Sequence, residues 1–211
     1  MELQFPDIPT VDEDELPDWV YTKRREMQEI LPGVFLGPYA AAMKSKLQSL
    51  QNDGITHIVC IRQDVEAHLI KPNFPDHFQY LVLEVADSMT ENIIKHFPKV
   101  KAFIDGCLQA GGRVLVHGNA GMSRSAALVI AYVMETYGMT YRDALKHVQQ
   151  RRFCISPNES FANQLTEYEP IFTARLQVSH QQQQLMQAAS GSKRRIDDVD
   201  SEKEDEASMD H

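Results

Sequence analysis

The chain has 211 residues, enough for one domain with a substantial core plus tails. Its longest uninterrupted apolar run, 126–134, falls well short of the roughly 20 residues of a membrane helix, so no membrane span and no membrane partner are expected. The net charge of −9 is unevenly placed: residues 1–21 hold seven acids and no base, residues 193–211 hold four bases and eight acids, and the stretch 22–192 is left at +2 without the basic stripe that nucleic-acid binding would need.

The N-terminus, MELQFPDIPTVDEDEL, lacks a basic region followed by an apolar core and is not read as a signal peptide. With Pro6, Pro9, Pro17 and the run Asp12–Glu15, residues 1–25 are expected to form an acidic, partly disordered arm, with Trp19 and Tyr21 anchoring its end. The stretch Glu29-Ile30-Leu31-Pro32-Gly33-Val34-Phe35-Leu36-Gly37 reads as two short strands around a Pro-Gly turn. A helix is expected over 40–53, ending before Gly54, and buried strands over 56–61 and 80–85. Between those strands, 62–78 with Pro72 and Pro75 reads as a loop with one helical turn.

Ser88 with Glu91 forms a capping-box pattern, followed by Ile93, Phe97, Val100, Ile104 and Leu108 at helical spacing. Pro98 lies inside this helix and should kink or shorten it. After Gly111-Gly112 come a strand at 113–116, a glycine-bearing loop, and a helix to Tyr137 closed by Gly138. Thr140 with Asp143 caps a helix to about Arg151. Ser156-Pro157-Asn158-Glu159 is a third box, with proline at the first helical position of a helix to about Gln177. The Gln-rich, then basic, then acidic stretch 179–211 is expected to be disordered, leaving 26–178 as the folded domain. Cys60, Cys107 and Cys154 form no CxxC pair, which argues against a disulfide framework or a cysteine metal site and for a reducing compartment. Alternating strands and helices predict an α/β sandwich around a central, mostly parallel sheet flanked by helices.

In such sheets ligands bind at the carboxyl ends of strands, where His117-Gly118-Asn119-Ala120-Gly121-Met122-Ser123-Arg124-Ser125 falls. A glycine-bearing loop at a helix N-terminus presents backbone N–H groups and a positive dipole end to an anion. Arg124 adds a cation whose fork matches phosphate oxygens, and it precedes a helix apolar nearly all round, so it needs an anionic partner or a specific network. No Gly-Lys-Ser/Thr follows, so this is not the ATP-binding loop. The competing reading is a glycine-rich turn with a solvated arginine. The phosphate-cradle reading takes Gly118, Asn119, Ala120, Gly121, Met122, Ser123 and Arg124 as the binding set.

These nine residues resemble the signature loop of cysteine-dependent protein phosphatases, His-Cys-x-x-Gly-x-x-Arg-Ser/Thr, in its dual-specificity form. The resemblance extends over about 28–176, through Leu31-Pro32-Gly33-Val34-Phe35-Leu36-Gly37 and Arg113-Val114-Leu115-Val116-His117. It implies a cysteine-phosphatase-like sandwich and departs at one place: the cysteine position is Gly118. That departure, with Glu26–Gly33 and Arg151–Ile155, resembles a catalytically inactive member of the family. Further roles follow by resemblance. Asp87 matches the general acid and is then a relic. Arg124 matches the phosphoryl clamp, Ser125 the hydroxyl that helps the thiolate leave, and His117 the inward-facing residue that tunes the thiolate, which without one is structural.

Without a thiolate no covalent intermediate forms, and removing such a nucleophile costs roughly 10⁶ in kcat. No cofactor and no metal are implied. The resemblance therefore implies no enzyme but a protein that holds phosphorylated Tyr, Thr or Ser residues. Phosphorylated proteins, MAP kinases and other phosphatase clients are the expected partners, in cytoplasm and nucleus. A second reading is an interaction domain that uses its outer surface and keeps the loop for fold stability. Asp87 has an alternative as a helix-start residue. Arg142, Arg151 and Arg152 read first as solvated charges and second as a basic rim for a phosphorylated partner. Lys193-Arg194-Arg195 is a nuclear-import candidate, and Ser201 before Glu202 an acidic-directed kinase site.

Overall fold

The computed structural model describes residues 5–9 and 19–178. The expected disorder of the far N-terminus and the C-terminal tail, the basic cluster at 193–195 and Ser201 lie outside them. Five strands, β1 (Gln28–Leu31), β2 (Val34–Pro38), β3 (His57–Arg62), β4 (Gln79–Glu84) and β5 (Val114–Gly118), form one sheet in the order β1-β2-β5-β3-β4. β1 and β2 are an antiparallel hairpin, and every other pairing is parallel. The sandwich and its mostly parallel sheet are as the sequence implied. β5 lies in the middle, fully buried, because Val114, Leu115 and Val116 present apolar side chains to both faces.

Strand alternation sorts those faces. Phe35, Ile58 and Leu115 join one cluster with Leu50, Phe74 and Phe78, on the side of α1 (Leu47–Asn52). Against the sheet also pack α2 (Phe97–Gln109), α3 (Arg124–Tyr137) and α4 (Tyr141–Arg151). Residues 124–135 of α3 are all buried, since this helix packs against the sheet as well as against α2 and α4. Gly138 ends it in the left-handed region at φ 64°, and a side chain there would also strike the Phe5 ring. The body falls within Gln4–Glu169; from Pro170 on, the residues belong to a second unit, of which 170–178 are described as helical.

Four local expectations need correction. The helix expected over 40–53 is two 3₁₀ turns, Tyr39–Ala42 and Lys44–Lys46, followed by α1. Met43 between the turns is extended (φ −69°, ψ 159°), which interrupts the helical run. The Ser88–Glu91 box does not open a helix. Glu91 instead accepts from the Ala86 amide at 3.2 Å, and a 3₁₀ turn begins only at Ile94. Pro98 consequently lies in the first turn of α2, where its missing N–H costs nothing, and it kinks nothing. At the third box Pro157 lies outside the helix, which starts at 159, and Asn158 is the cap, its Oδ1 accepting from the Phe161 amide at 2.9 Å. The Thr140 cap forms as expected, accepting from the Asp143 amide at 3.2 Å.

Near the N-terminus, Pro9 O accepts from Arg151 Nη2 at 3.0 Å. Tyr21 does not bury itself as an anchor: it is 71% exposed, with the Arg24 guanidinium 3.9 Å above its ring.

Candidate functional site: a phosphatase-type anion cradle

β5 runs two residues beyond its expected end, to Gly118, and α3 starts at Arg124. The loop between them closes over a cavity of about 350 Å³ lined by Asp87, the residues 118–125 and Ser156. Its shape follows from where its carbonyls go. Asn119 O accepts from the Tyr39 amide at 3.0 Å, Met122 O from the Ser156 amide at 2.8 Å, and Ser123 O from the Ala127 amide at 2.8 Å. Arg152 takes the two in between, donating from Nη2 to Ala120 O at 3.1 Å and from Nε to Gly121 O at 2.9 Å. In a trans peptide the N–H points opposite to the preceding C=O. With carbonyls 119–123 held from outside or by the helix, the amides of residues 120–124 turn the other way, toward the cavity. No acceptor for the amides of Ala120–Ser123 is found among the described residues. Gly121 permits this at φ 68°, with its Cα pressed against the Gly37 backbone so closely that a Cβ would lie 2.4 Å from Gly37 O.

Arg152 corrects the reading of it as a solvated charge. It is fully buried, and its remaining N–H groups donate to Arg24 O (3.0 Å), Glu26 O (2.9 Å) and Gln28 Oε1. All five of its acceptors are neutral, so the whole fork is used for hydrogen bonding with no carboxylate partner among the described residues. Sequence reading missed this role because adjacent arginines at a helix end look alike until the chain folds. Arg151, by contrast, bonds His147 and Pro9 O.

Arg124 is buried as well, at 7% exposure. It donates from Nη1 and Nη2 to the two carboxylate oxygens of Glu66 at 2.5 and 2.9 Å, and from Nη1 to Val85 O at 3.1 Å. Its Nε lies 3.8 Å from Asp87 Oδ2. Glu66 escaped sequence reading entirely. It sits in the 3₁₀ turn Asp64–Glu66, and the only local sign was the Gln63–Glu66 capping pattern. The Arg124 guanidinium holds the Glu66 carboxyl below its ordinary range, with burial opposing. Asp87 joins the cradle too: its Oδ1 accepts from Ser123 Oγ at 2.7 Å and Asn158 Nδ2 at 2.8 Å.

At the floor, Gly118 leaves a space. A Cβ there would meet Ser125 Oγ at 3.5 Å and Ile61 O at 3.7 Å, ordinary contacts that a side chain tolerates. Ser125 Oγ and His117 Nε2 are buried without a protein partner. No cysteine lines the cavity. Cys60 is buried in β3 with its thiol pushed up to about 11, and burial raises that of Cys107 as well, so neither thiol ionises readily near neutrality.

His117 is fully buried, and desolvation pushes its imidazole down to about 4 from an ordinary 6.5, its bond to Gly118 O opposing. The neutral form is therefore favoured by folding. Between pH 6.5 and 4 the unfolded chain holds a proton that the folded chain refuses, so stability is fully present above pH 6.5 and falls as pH drops through that window. The shift corresponds to about 3 kcal/mol. His147, also lowered to about 4 chiefly by burial, adds in the same direction. Urea unfolding at pH 7 and pH 4.5 should show the loss, and His117→Gln should reduce it. A variant with the same loss as the parent would show that His117 is not its source.

A profile described as the dual specificity phosphatase catalytic domain matches residues 34–171. The chain belongs to this family. Among curated relatives, the human serine/threonine/tyrosine-interacting protein is 64% identical over 178 residues, covering 84% of this chain and 79% of the relative. Dual specificity protein phosphatase 1B of Arabidopsis thaliana is 37% identical over 145 residues, 69% of this chain and 83% of its own. The crystal structure of human tyrosine phosphatase-like serine/threonine/tyrosine-interacting protein superposes with a TM-score of 0.70 at 68% identity, covering 71% of this chain and 99% of that one. Within the family fold, the loop Gly118–Arg124, Asp87 and Ser125 line one cavity, and His117 lies directly behind it.

Proposed function

We propose that this domain is a pseudophosphatase: it recognises phosphorylated Tyr, Thr or Ser residues and does not cleave them, acting as competitor, anchor or scaffold in kinase signalling. MAP kinases and other phosphatase clients are the partners proposed, in cytoplasm and nucleus. The observation that carries this reading is a ring of inward-turned loop amides around a floor, Gly118, that has no side chain. A phosphate needs the amides and Arg124, and only cleavage needs the nucleophile. Removing a thiolate also removes a negative charge that would face the phosphate dianion.

Calorimetry with matched phosphorylated and unphosphorylated peptides tests the reading. Each charge-assisted bond contributes about 1.5–3 kcal/mol, so a preference of at least about tenfold for the phosphorylated form is expected. Equal affinities overturn it. One observation favours a second reading, a phosphorylation-independent interaction domain: Arg124 already carries an internal counterion in Glu66, with Asp87 close by. On that reading the cradle is a structural relic and partners use the outer surface.

A further inference from the structure

The edges of an open sheet expose unpaired main-chain groups, and natural sheets blunt them with lysine, proline, a bulge or a packed element. The β1 edge is treated in this way. It is four residues long, its register shifts between Glu29 and Leu31, α4 packs against it, and Ile30 O accepts from His147 Nε2 at 3.2 Å. The β4 edge is not. Its residues, Gln79-Tyr80-Leu81-Val82-Leu83-Glu84, include no lysine and no proline, and they pair with β3 in one unbroken register.

The direction of the free groups follows from the ladder. Gln79 N donates to Thr56 O and Val85 N to Arg62 O, each at 3.0 Å, so Gln79, Leu81, Leu83 and Val85 turn their amides toward β3. The N–H and C=O of Tyr80, Val82 and Glu84 then point away from the sheet. No partner for them is found among the described residues. The side chains of these three residues share one face of the strand. Tyr80 packs against the cluster that holds Phe74 and Phe78, whereas Val82 is 39% exposed and Glu84 is exposed as well.

At the carboxyl end of β4 the surface turns acidic. Glu84 borders a cavity of about 470 Å³ with Asp64, Val65, Glu91 and Lys95. Lys95 is taken by Glu91 at 2.9 Å, which leaves Asp64 and Glu84 with no cation among the described residues. Val65 beside them is 71% exposed.

We infer that the β4 edge is a docking strand for an extended, unphosphorylated segment of a partner protein, which adds to the sheet and carries a lysine or arginine opposite Glu84. Main-chain bonds to Tyr80, Val82 and Glu84 hold the guest, and its alternate side chains select it. Antiparallel pairing is the more stable per residue. It places the basic residue at the N-terminal end of the guest, with apolar residues following opposite Val82 and Tyr80, a basic-x-apolar-x-apolar pattern. Opposite charges and apolar pairs facing each other across strands are the contacts that stabilise such a ladder. The edge needs no phosphate, so this inference stands apart from the cradle reading.

The test titrates the full chain with unphosphorylated peptides of the form Arg-x-Val-x-Val, with threonine or serine at x, and with counterparts carrying alanine in place of arginine. At a free peptide concentration about ten times Kd, hydrogen exchange at the Tyr80, Val82 and Glu84 amides should slow about 10-fold. Val82→Lys, a change at an exposed position that should leave melting unaltered, should weaken binding about 10-fold or more by blocking the edge. Glu84→Gln should weaken the arginine peptides about 3-fold, as for an exposed ion pair, and leave the alanine counterparts unaffected. Failure of all peptides of this pattern to bind overturns the inference, as does binding that leaves the three amides unprotected or survives Val82→Lys. A parent chain that is dimeric in sedimentation and monomeric as Val82→Lys gives the edge to a second copy. Peptide binding that emerges only when Lys193, Arg194 and Arg195 are replaced by glutamine gives it to the chain's own basic segment. Either result also overturns the inference.

Discussion

Replacing Gly118 by cysteine is expected to turn the protein into a measurable phosphatase. The backbone at 118 is ordinary strand, paired with Pro38 of β2, and a Cβ there makes only van der Waals contacts. The new thiol would enter a ring of amide N–H groups at the start of α3, the environment that lowers a cysteine pKa. Ser125 Oγ, buried beside it without a partner, would gain one. Asp87 is already fixed at the cavity by Ser123 and Asn158. Losing a nucleophile costs roughly 10⁶ in kcat, which from a typical 10 s⁻¹ leaves about 10⁻⁵ s⁻¹. Recovering half of that span in energy gives a rate about 10³-fold above the parent toward a small aryl phosphate. Gly118→Ser is the control, since it fills the same space with a far weaker nucleophile. A folded Gly118→Cys chain no faster than the serine variant would mean that the cradle has lost more than one atom's worth of chemistry.

Arg124→Met is expected to weaken phosphopeptide binding by about 100-fold or more. Methionine follows the arginine stem but supplies no donors, so the charge-assisted bonds to a bound phosphate are lost. The loss is compounded because Glu66, whose side chain is 19% exposed, then borders the cavity as an unpaired carboxylate. Breaking this pair from one side should also cost about 3 kcal/mol of stability. The two effects separate in Arg124→Met/Glu66→Gln, where the unpaired charge is gone: melting should recover and binding should not. Binding restored in the double variant would assign Arg124 a purely architectural role. In cell extracts, partners lost with Arg124→Met and with phosphatase treatment use the cradle. Partners that survive both use another surface.

The sheet was legible because its strands are short runs of Val, Ile and Leu bounded by glycine and proline, and burial on both faces leaves few alternatives for such runs. The position of the loop was legible for a different reason: glycines between a buried strand and an apolar helix mark a tight turn at the carboxyl end of the sheet. Harder to read were partners supplied from elsewhere. An anion for Arg124 was called for by the apolar helix behind it, yet nothing in Asp64-Val65-Glu66 marks Glu66 as that anion, 58 residues away. Arg152 looked like a surface charge because the carbonyls it serves belong to four distant backbone positions and carry no signature of their own. Helix starts failed where competing bonds existed: Glu91 found the Ala86 amide, and Met43 left the helical region.

The Arg152 brace has a consequence for how such a protein could arise. It grips the outside of the loop through main-chain oxygens alone, so the curvature of the loop is indifferent to what side chain stands at position 118. A substitution there changes the floor of the cavity while the brace on Ala120 O and Gly121 O stays in place. Position 118 and the brace that shapes the loop are thus separate residues, and a lineage can change the first without renegotiating the second.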